Sequence, residues 1–209
     1  MTFSDTIHKI FEAFNHPLPG YEAHIEMAPY RKKVELNFEN NKPKIASTIL
    51  LLYPKDNDIY FCLIERTEYE GTHSKQISFP GGRNENGETI KETALRECNE
   101  EIGVPIEEIN IIGEMTQVYV PPSNYLIHPF VGYCDTKPTF IADPREVKTI
   151  IEIKMNELSK PGLIKNKKMN FGSKNQRFQA DVPYLDLNDK IVWGATSVVL
   201  NEFRRMLQL

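Results

Sequence analysis

The apolar positions change their period along the chain. Ile7, Ile10, Phe11 and Phe14 recur at i, i+3, i+4 and i+7, which is one face of a helix. Ser4 stands where an N-cap belongs, and the cluster Pro17, Leu18, Pro19, Gly20 ends the helix because proline cannot continue it. From Lys44 the pattern becomes strand-like. IASTILLLY and IYFCLIER flank the turn-forming PKDND and predict a hairpin. QISFPGG reads as a short strand running into a glycine turn. Helical period returns from Glu88 to Ile102, with Ile90, Ala94, Leu95, Cys98 and Ile102 on one side, Gly103 as C-terminal cap and Pro105 beyond it. INIIGEMTQVYV, IHPFVGYC and VKTIIEI predict further strands, the first two separated by a PPSNY loop. FQADVPYLDL and KIVW bracket an ND turn. Thr196 to Leu207 closes the chain as an amphipathic helix carrying Val199, Phe203 and Met206 on its apolar side. The lysine-rich KNKKMNFGSKN reads as a mobile surface loop, and Phe79 and Trp193 as core side chains. These elements predict a mixed α/β domain with helices against a mixed sheet. Residues 1–43 form an N-terminal helix and extension, and residues 44–209 the main domain.

Composition narrows the picture. At 209 residues the chain can bury a substantial core without disulfides. Its net charge of -4 provides no basic footprint for nucleic acid. Cys62, Cys98 and Cys134 form no CxxC pair, which fits a reducing compartment. Apolar runs such as STILLLY fall far short of the roughly 20 residues that span a bilayer. The start, MTFSDTIHKIFEAF, lacks the basic and apolar regions of a signal peptide. The expectation is a cytoplasmic protein without nucleic-acid or membrane partners. The helix around Phe11 is expected to dock on its own domain, with a homodimer contact or a lid as the alternatives.

One helix carries the candidate chemistry. Arg96, Glu97, Glu100 and Glu101 fall within six residues and stop at Gly103. Glu97, Glu100 and Glu101, at i, i+3 and i+4, are expected to share one face, away from the apolar side to which Cys98 belongs. Like charges at this spacing repel, and a helix C-terminus disfavours anions further. Two readings are open: a solvated acidic face, or a site for hard divalent cations, which take oxygen ligands. Gly81 and Gly82, just after Pro80, allow a sharp turn and close approach to a ligand.

The complete spacing decides between them. Gly82 is followed by Glu88, then by Arg96, Glu97, an apolar slot at Cys98, Glu100, Glu101, Gly103 and Val104. This resembles the Nudix hydrolase signature with every defining position filled. The resemblance implies a Nudix α/β/α sandwich with a mixed β-sheet and an N-terminal extension. It implies a diphosphatase that uses Mg2+ or Mn2+ held by Glu97, Glu100 and Glu101. Gly81, Gly82 and Glu88 would shape the binding turn. Glu97, Glu100 and Arg96 would serve catalysis, Arg96 by pairing with Glu88 or a neighbouring carboxylate. Glu146, in DPREV, is the acidic residue outside the helix that the family pattern brings toward the metals as ligand or general base, with Glu152 a weaker second choice.

Other segments follow the order of the coenzyme A diphosphatase branch: AHIEMAPYRK, HSKQISFPGG, Pro121-Pro122-Ser123, HPFVGY, DPREV and IVWGATSVVL. The branch's own signature before FPGG is kept at Arg66, but Ile64, Gly71 and Lys75 depart from it. His73, Lys75 or Arg83 could meet a substrate phosphate. The resemblance implies a small nucleotide substrate, coenzyme A or an acyl-coenzyme A. ADP-ribose or a dinucleotide is the alternative, and a non-catalytic Nudix-fold binding module the second.

Overall fold

The computed structural model describes residues 2–29, 42–67, 76–173 and 176–209. In chain order the elements are α1 (Phe3–Phe14), α2 (Gly20–Met27), β1 (Lys44–Lys55), β2 (Asp58–Arg66), β3 (Ile77–Ser78), β4 (Gly81–Arg83), α3 (Ile90–Ile102), β5 (Asn110–Glu114), β6 (Val118–Val120), β7 (Tyr125–Tyr133), β8 (Val147–Lys154), β9 (Ile164–Ser173), β10 (Gln176–Leu187), β11 (Lys190–Val192) and α4 (Ala195–Met206).

Strands β1 to β8 form one mixed sheet. At its centre β1 runs parallel to β7 and antiparallel to β2. β4 is added antiparallel to the start of β1, β8 and β3 to β2, and β5 and β6 to β7. The β1–β2 hairpin turns on Asp56 and Asn57, both at positive φ, as a right-twisted two-residue hairpin requires.

Alternation along the strands sorts the core into two faces. Leu50, Leu52, Phe61 and Leu63 join Ile7, Ile10, Met27, Val199 and Phe203 on one side. Ile49, Leu51, Tyr53, Cys62 and Ile64 join Ala94, Cys98 and Ile102 on the other. Helix α3 therefore covers one face while α1, α2 and α4 cover the opposite one, an α/β/α sandwich. Helix α1 docks on its own domain: Phe3 and Phe11 meet Tyr133 edge-on at 6.2 and 6.4 Å between ring centroids. Phe79 is buried as expected.

Several local expectations are corrected. Thr2, not Ser4, caps α1: Thr2 Oγ1 accepts from Asp5 N at 3.1 Å and the Asp5 carboxylate accepts from Thr2 N at 2.8 Å, a reciprocal capping box. The predicted start of α3 at Glu88 moves to Ile90, because Thr89 builds the same box with Glu92. The second helix, α2, adds to the expected elements, its apolar positions too weakly patterned to mark a helix in the sequence. INIIGEMTQVYV is two strands rather than one, β5 and β6. The described part of KNKKMNFGSKN is not a loop but most of β9, paired along β10 from Ile164 to Ser173. Its lysines suggested solvent, and solvent is what they face on a sheet edge. Lys165 also pairs with Asp186 of β10 at 2.5 Å. Trp193 is only partly buried. Gly71, His73 and Lys75 lie outside the described residues.

Candidate active site

The site is assembled where β4 passes between β1 and α3. Thr48, Ser47 and Ala46 of β1 pair with Gly81, Gly82 and Arg83. The two glycines are required for different reasons. Gly81 has φ +151 and backbone atoms of Ser47 and Thr48 where a Cβ would go. Gly82 has the Glu97 carboxylate there instead. Gly103, at φ +73, ends α3 in the left-handed conformation and donates to Asn99 O at 2.8 Å.

Arg96 gathers the acidic side chains. Its Nε donates to Glu88 Oε1 at 2.5 Å, and its Nη1 donates to Glu97 Oε1 at 2.9 Å and Glu100 Oε2 at 2.8 Å. Glu88 also accepts from Thr93 Oγ1 at 2.9 Å, while Asn84 Nδ2 donates to Thr93 Oγ1 at 2.7 Å. The Arg96 hydrogen bonds hold the Glu88 carboxyl down at about 2. Arg96 itself is held still more firmly protonated by the same partners.

The three α3 carboxylates differ sharply in exposure, which spacing alone does not foresee. The Glu100 side chain is 58% exposed, Glu97 13% and Glu101 1%. Glu101 points inward, where its Oε1 accepts from Arg66 Nη1 at 2.6 Å and its Oε2 from Gly81 N at 2.8 Å. Burial pushes the Glu101 carboxyl up to about 7, against the pull of Arg66 and the Gly81 amide. Burial also raises Glu97, opposed by Arg96.

Glu146 is exposed at the end of the Asp143–Glu146 turn, and its charge raises the pKa of both Glu97 and Glu101. The turn is fastened to the end of α3, where Ile141 N donates to Ile102 O at 2.8 Å and Asp143 N to Glu101 O at 3.0 Å. Glu152 is engaged elsewhere, by Tyr53 Oη at 2.9 Å and Lys55 Nζ at 3.0 Å. Arg83 is exposed, and its carbonyl accepts from Arg96 Nη2 at 3.2 Å. The residues that sequence reasoning passed over are Asn84, Thr93 and Ser47. Asn84 and Thr93 brace Glu88. Ser47 Oγ is buried without a protein partner, and Ser47 is the register partner of Gly82.

Among the described residues no group of three or more histidine, cysteine or acidic side chains stands arranged around a metal position. The donor set nevertheless suits a hard divalent cation: all carboxylate oxygens, with the bare backbone of Gly82 letting the Glu97 carboxylate lie directly against β4. A cationic atom, Arg96 Nη1, already sits between Glu97 and Glu100.

Residues 42–172 match the family model for the NUDIX domain. A curated relative, Nudix hydrolase 3 of Caenorhabditis elegans, is 30% identical over 192 residues, covering 86% of this chain and 80% of the relative. The uncharacterized Nudix hydrolase NudL of Photorhabdus laumondii is 23% identical over 186 residues, covering 88% and 94%. Among solved structures, a MutT/nudix family protein from Enterococcus faecalis shares the fold with a TM-score of 0.55 at 17% identity, covering 88% of this chain and 69% of that one.

Proposed function

The chain belongs to the Nudix family, and from that membership we propose that it is a divalent-metal-dependent diphosphatase acting on coenzyme A or an acyl-coenzyme A. The observation that carries the enzyme reading is the apposition of Gly82 to Glu97 of the intact carboxylate helix, with the Asp143–Glu146 turn hydrogen-bonded to the end of that helix. A mere binding module has no need of this whole assembly.

Glu97, Glu100 and Glu101 would hold Mg2+ or Mn2+, which when bound neutralise diphosphate charge and lower the pKa of water. The rest is the work of the chain's own groups. Gly81 lets β4 pass closely over β1, and Gly82 lets the Glu97 carboxylate lie against β4. Arg96 orients Glu97 and Glu100 through its fork, anchored on Glu88. Glu146 is the group we assign to take the proton from the attacking water, since it is exposed and its turn is hydrogen-bonded to the end of the carboxylate helix. Water oxygen bonds to one phosphorus, the bridging P–O bond breaks, and the leaving phosphate departs with the bridging oxygen. From coenzyme A the products are adenosine 3′,5′-bisphosphate and 4′-phosphopantetheine.

The substrate assignment rests on the ordered segments shared with the coenzyme A branch. An open depression of about 420 Å3, lined by Glu88, Glu92 and Arg96 as well as Leu95 and Ile106, offers the mixed polar and apolar surface that the amide-bearing pantetheine arm would need. The departures at Ile64, Gly71 and Lys75 favour ADP-ribose or a dinucleotide as the second reading. Three buried free thiols accord with a reducing compartment such as the cytoplasm. The test is kcat/KM for coenzyme A, 3′-dephospho-coenzyme A and ADP-ribose with Mg2+ and with Mn2+. Coenzyme A should lead, and loss of its 3′-phosphate should weaken turnover. Preference for ADP-ribose by about tenfold, some 1.4 kcal/mol, sinks the coenzyme A reading. No turnover of any diphosphate sinks the enzyme reading.

A further inference from the structure

Val147 is on the unexpected side of the sheet. Ile151 and Ile153 of β8 belong to the α4-side core, so two-residue alternation would send Val147 the same way. It packs instead in the α3-side core with Ile150. The register explains the switch: Glu65 of β2 faces Thr149, but Arg66 faces Val147. Lys148 is the extra residue, a bulge that turns over everything before it in β8. Its Nζ is fixed on Glu65 Oε1 at 2.6 Å. The residue preceding Val147 is Glu146.

The facing end of β2 holds both halves of the site. Arg66 Nη1 donates to the buried carboxylate of Glu101 at 2.6 Å. The next residue, Thr67, donates its N–H to Glu146 O at 3.0 Å and its Oγ1–H to Arg145 O at 2.9 Å. Adjacent residues thus grip the α3 carboxylate and the backbone of Glu146.

We propose that the Lys148 bulge and the Arg66–Thr67 end of β2 together form the positioning element that sets Glu146 against the α3 carboxylates. Arg66 and Thr67 are positioning residues that act through Glu101 and Glu146. The inference rests on the proposed function, in that Glu101 and Glu146 must matter for metal and turnover.

The experiment compares wild type with Arg66→Met, Arg66→Lys and Thr67→Val, each checked for folding by thermal melt. Mn2+ binding is titrated by the electron paramagnetic resonance signal of the free ion. Steady-state kinetics at saturating Mn2+ use whichever of coenzyme A and ADP-ribose the wild type turns over. Arg66→Met should weaken Mn2+ binding by about tenfold or more, as loss of a ligand-orienting partner does. It should also lower kcat while KM stays within about twofold, and Arg66→Lys should recover part of both losses. Thr67→Val should bind Mn2+ as wild type does and lower kcat severalfold. If Arg66→Met does not fold, Arg66→Lys is read in the same directions against wild type. A rise in KM with unchanged Mn2+ binding would make Arg66 a substrate contact and overturn the proposal, as would variants indistinguishable from an active wild type. A wild type that neither binds Mn2+ nor turns over either substrate overturns the proposed function, and this inference with it.

Discussion

Gly82 lies directly against the Glu97 carboxylate, with no room for a Cβ between them. The obstructed atoms are the end of a flexible side chain, so Glu97 can swing aside. Gly82→Ala should therefore change stability by less than about 1 kcal/mol while displacing Glu97 and cutting activity by about 10–100-fold. Gly81→Ala should behave oppositely. Its Cβ meets Ser47 and Thr48 backbone at a φ of +151, and such strain and overpacking cost about 1–3 kcal/mol each. Thermal melts and kinetics on both variants check the contrast. Equal loss of stability in the two would contradict it.

Arg96 and a divalent ion compete for the same carboxylates, because Nη1 already bonds Glu97 and Glu100. Arg96→Gln should lower the Tm of the metal-free protein by leaving Glu88, Glu97 and Glu100 without their common counter-ion. Millimolar Mg2+ should then raise the Tm of the variant more than that of wild type, since ligand binding to the folded state stabilises it. Turnover should still fall, for want of ligand orientation. Identical Mg2+ shifts in the two proteins would refute the competition.

Much of this was legible because its signals are local. The Gly103 stop and the 3.6-residue period lie within or beside α3, and two turn residues specify the β1–β2 hairpin. The burial of Glu101 was not legible, because Gly81 and Arg66 are distant in sequence. Spacing alone puts Glu101 beside Glu97 on the helix, whereas the neighbouring β4 decides which way it points. The β9 lysines misled for a similar reason: their composition speaks of solvent, but the ladder is supplied by β10. The single extra residue in β8 leaves no compositional trace at all, and only its pairing with β2 reveals it.

The metal-free protein should lose stability as pH rises toward neutrality. Burial lifts the folded-state carboxyl of Glu101 from 4.5 to about 7. Folding thus binds a proton that the unfolded chain releases near 4.5. The stabilisation is fully present below that value and is lost as pH climbs through about 7. Wild type without metal should melt several degrees lower at pH 8 than at pH 5, and Glu101→Gln should flatten most of that slope. A slope unaffected by the substitution would mean that other groups carry it.

Glu202 offers a control remote from the chemistry. It is fully buried on α4, where Oε1 accepts from Gly20 N at 2.9 Å and from Thr116 Oγ1 at 2.5 Å, and Oε2 meets His24 Nε2 at 3.0 Å. One carboxylate thereby joins α2, α4 and the connection between β5 and β6. Removing it leaves His24, the Gly20 amide and the Thr116 hydroxyl to find new partners inside the core. Breaking a buried pair from one side costs about 3–5 kcal/mol, so Glu202→Ala should melt far below wild type. Helix α3 is on the opposite face of the sheet, so the increase in Tm on adding Mn2+ should remain close to that of wild type. A variant as stable as wild type would remove Glu202 from its structural role. A variant that folds but no longer responds to Mn2+ would tie the two faces together.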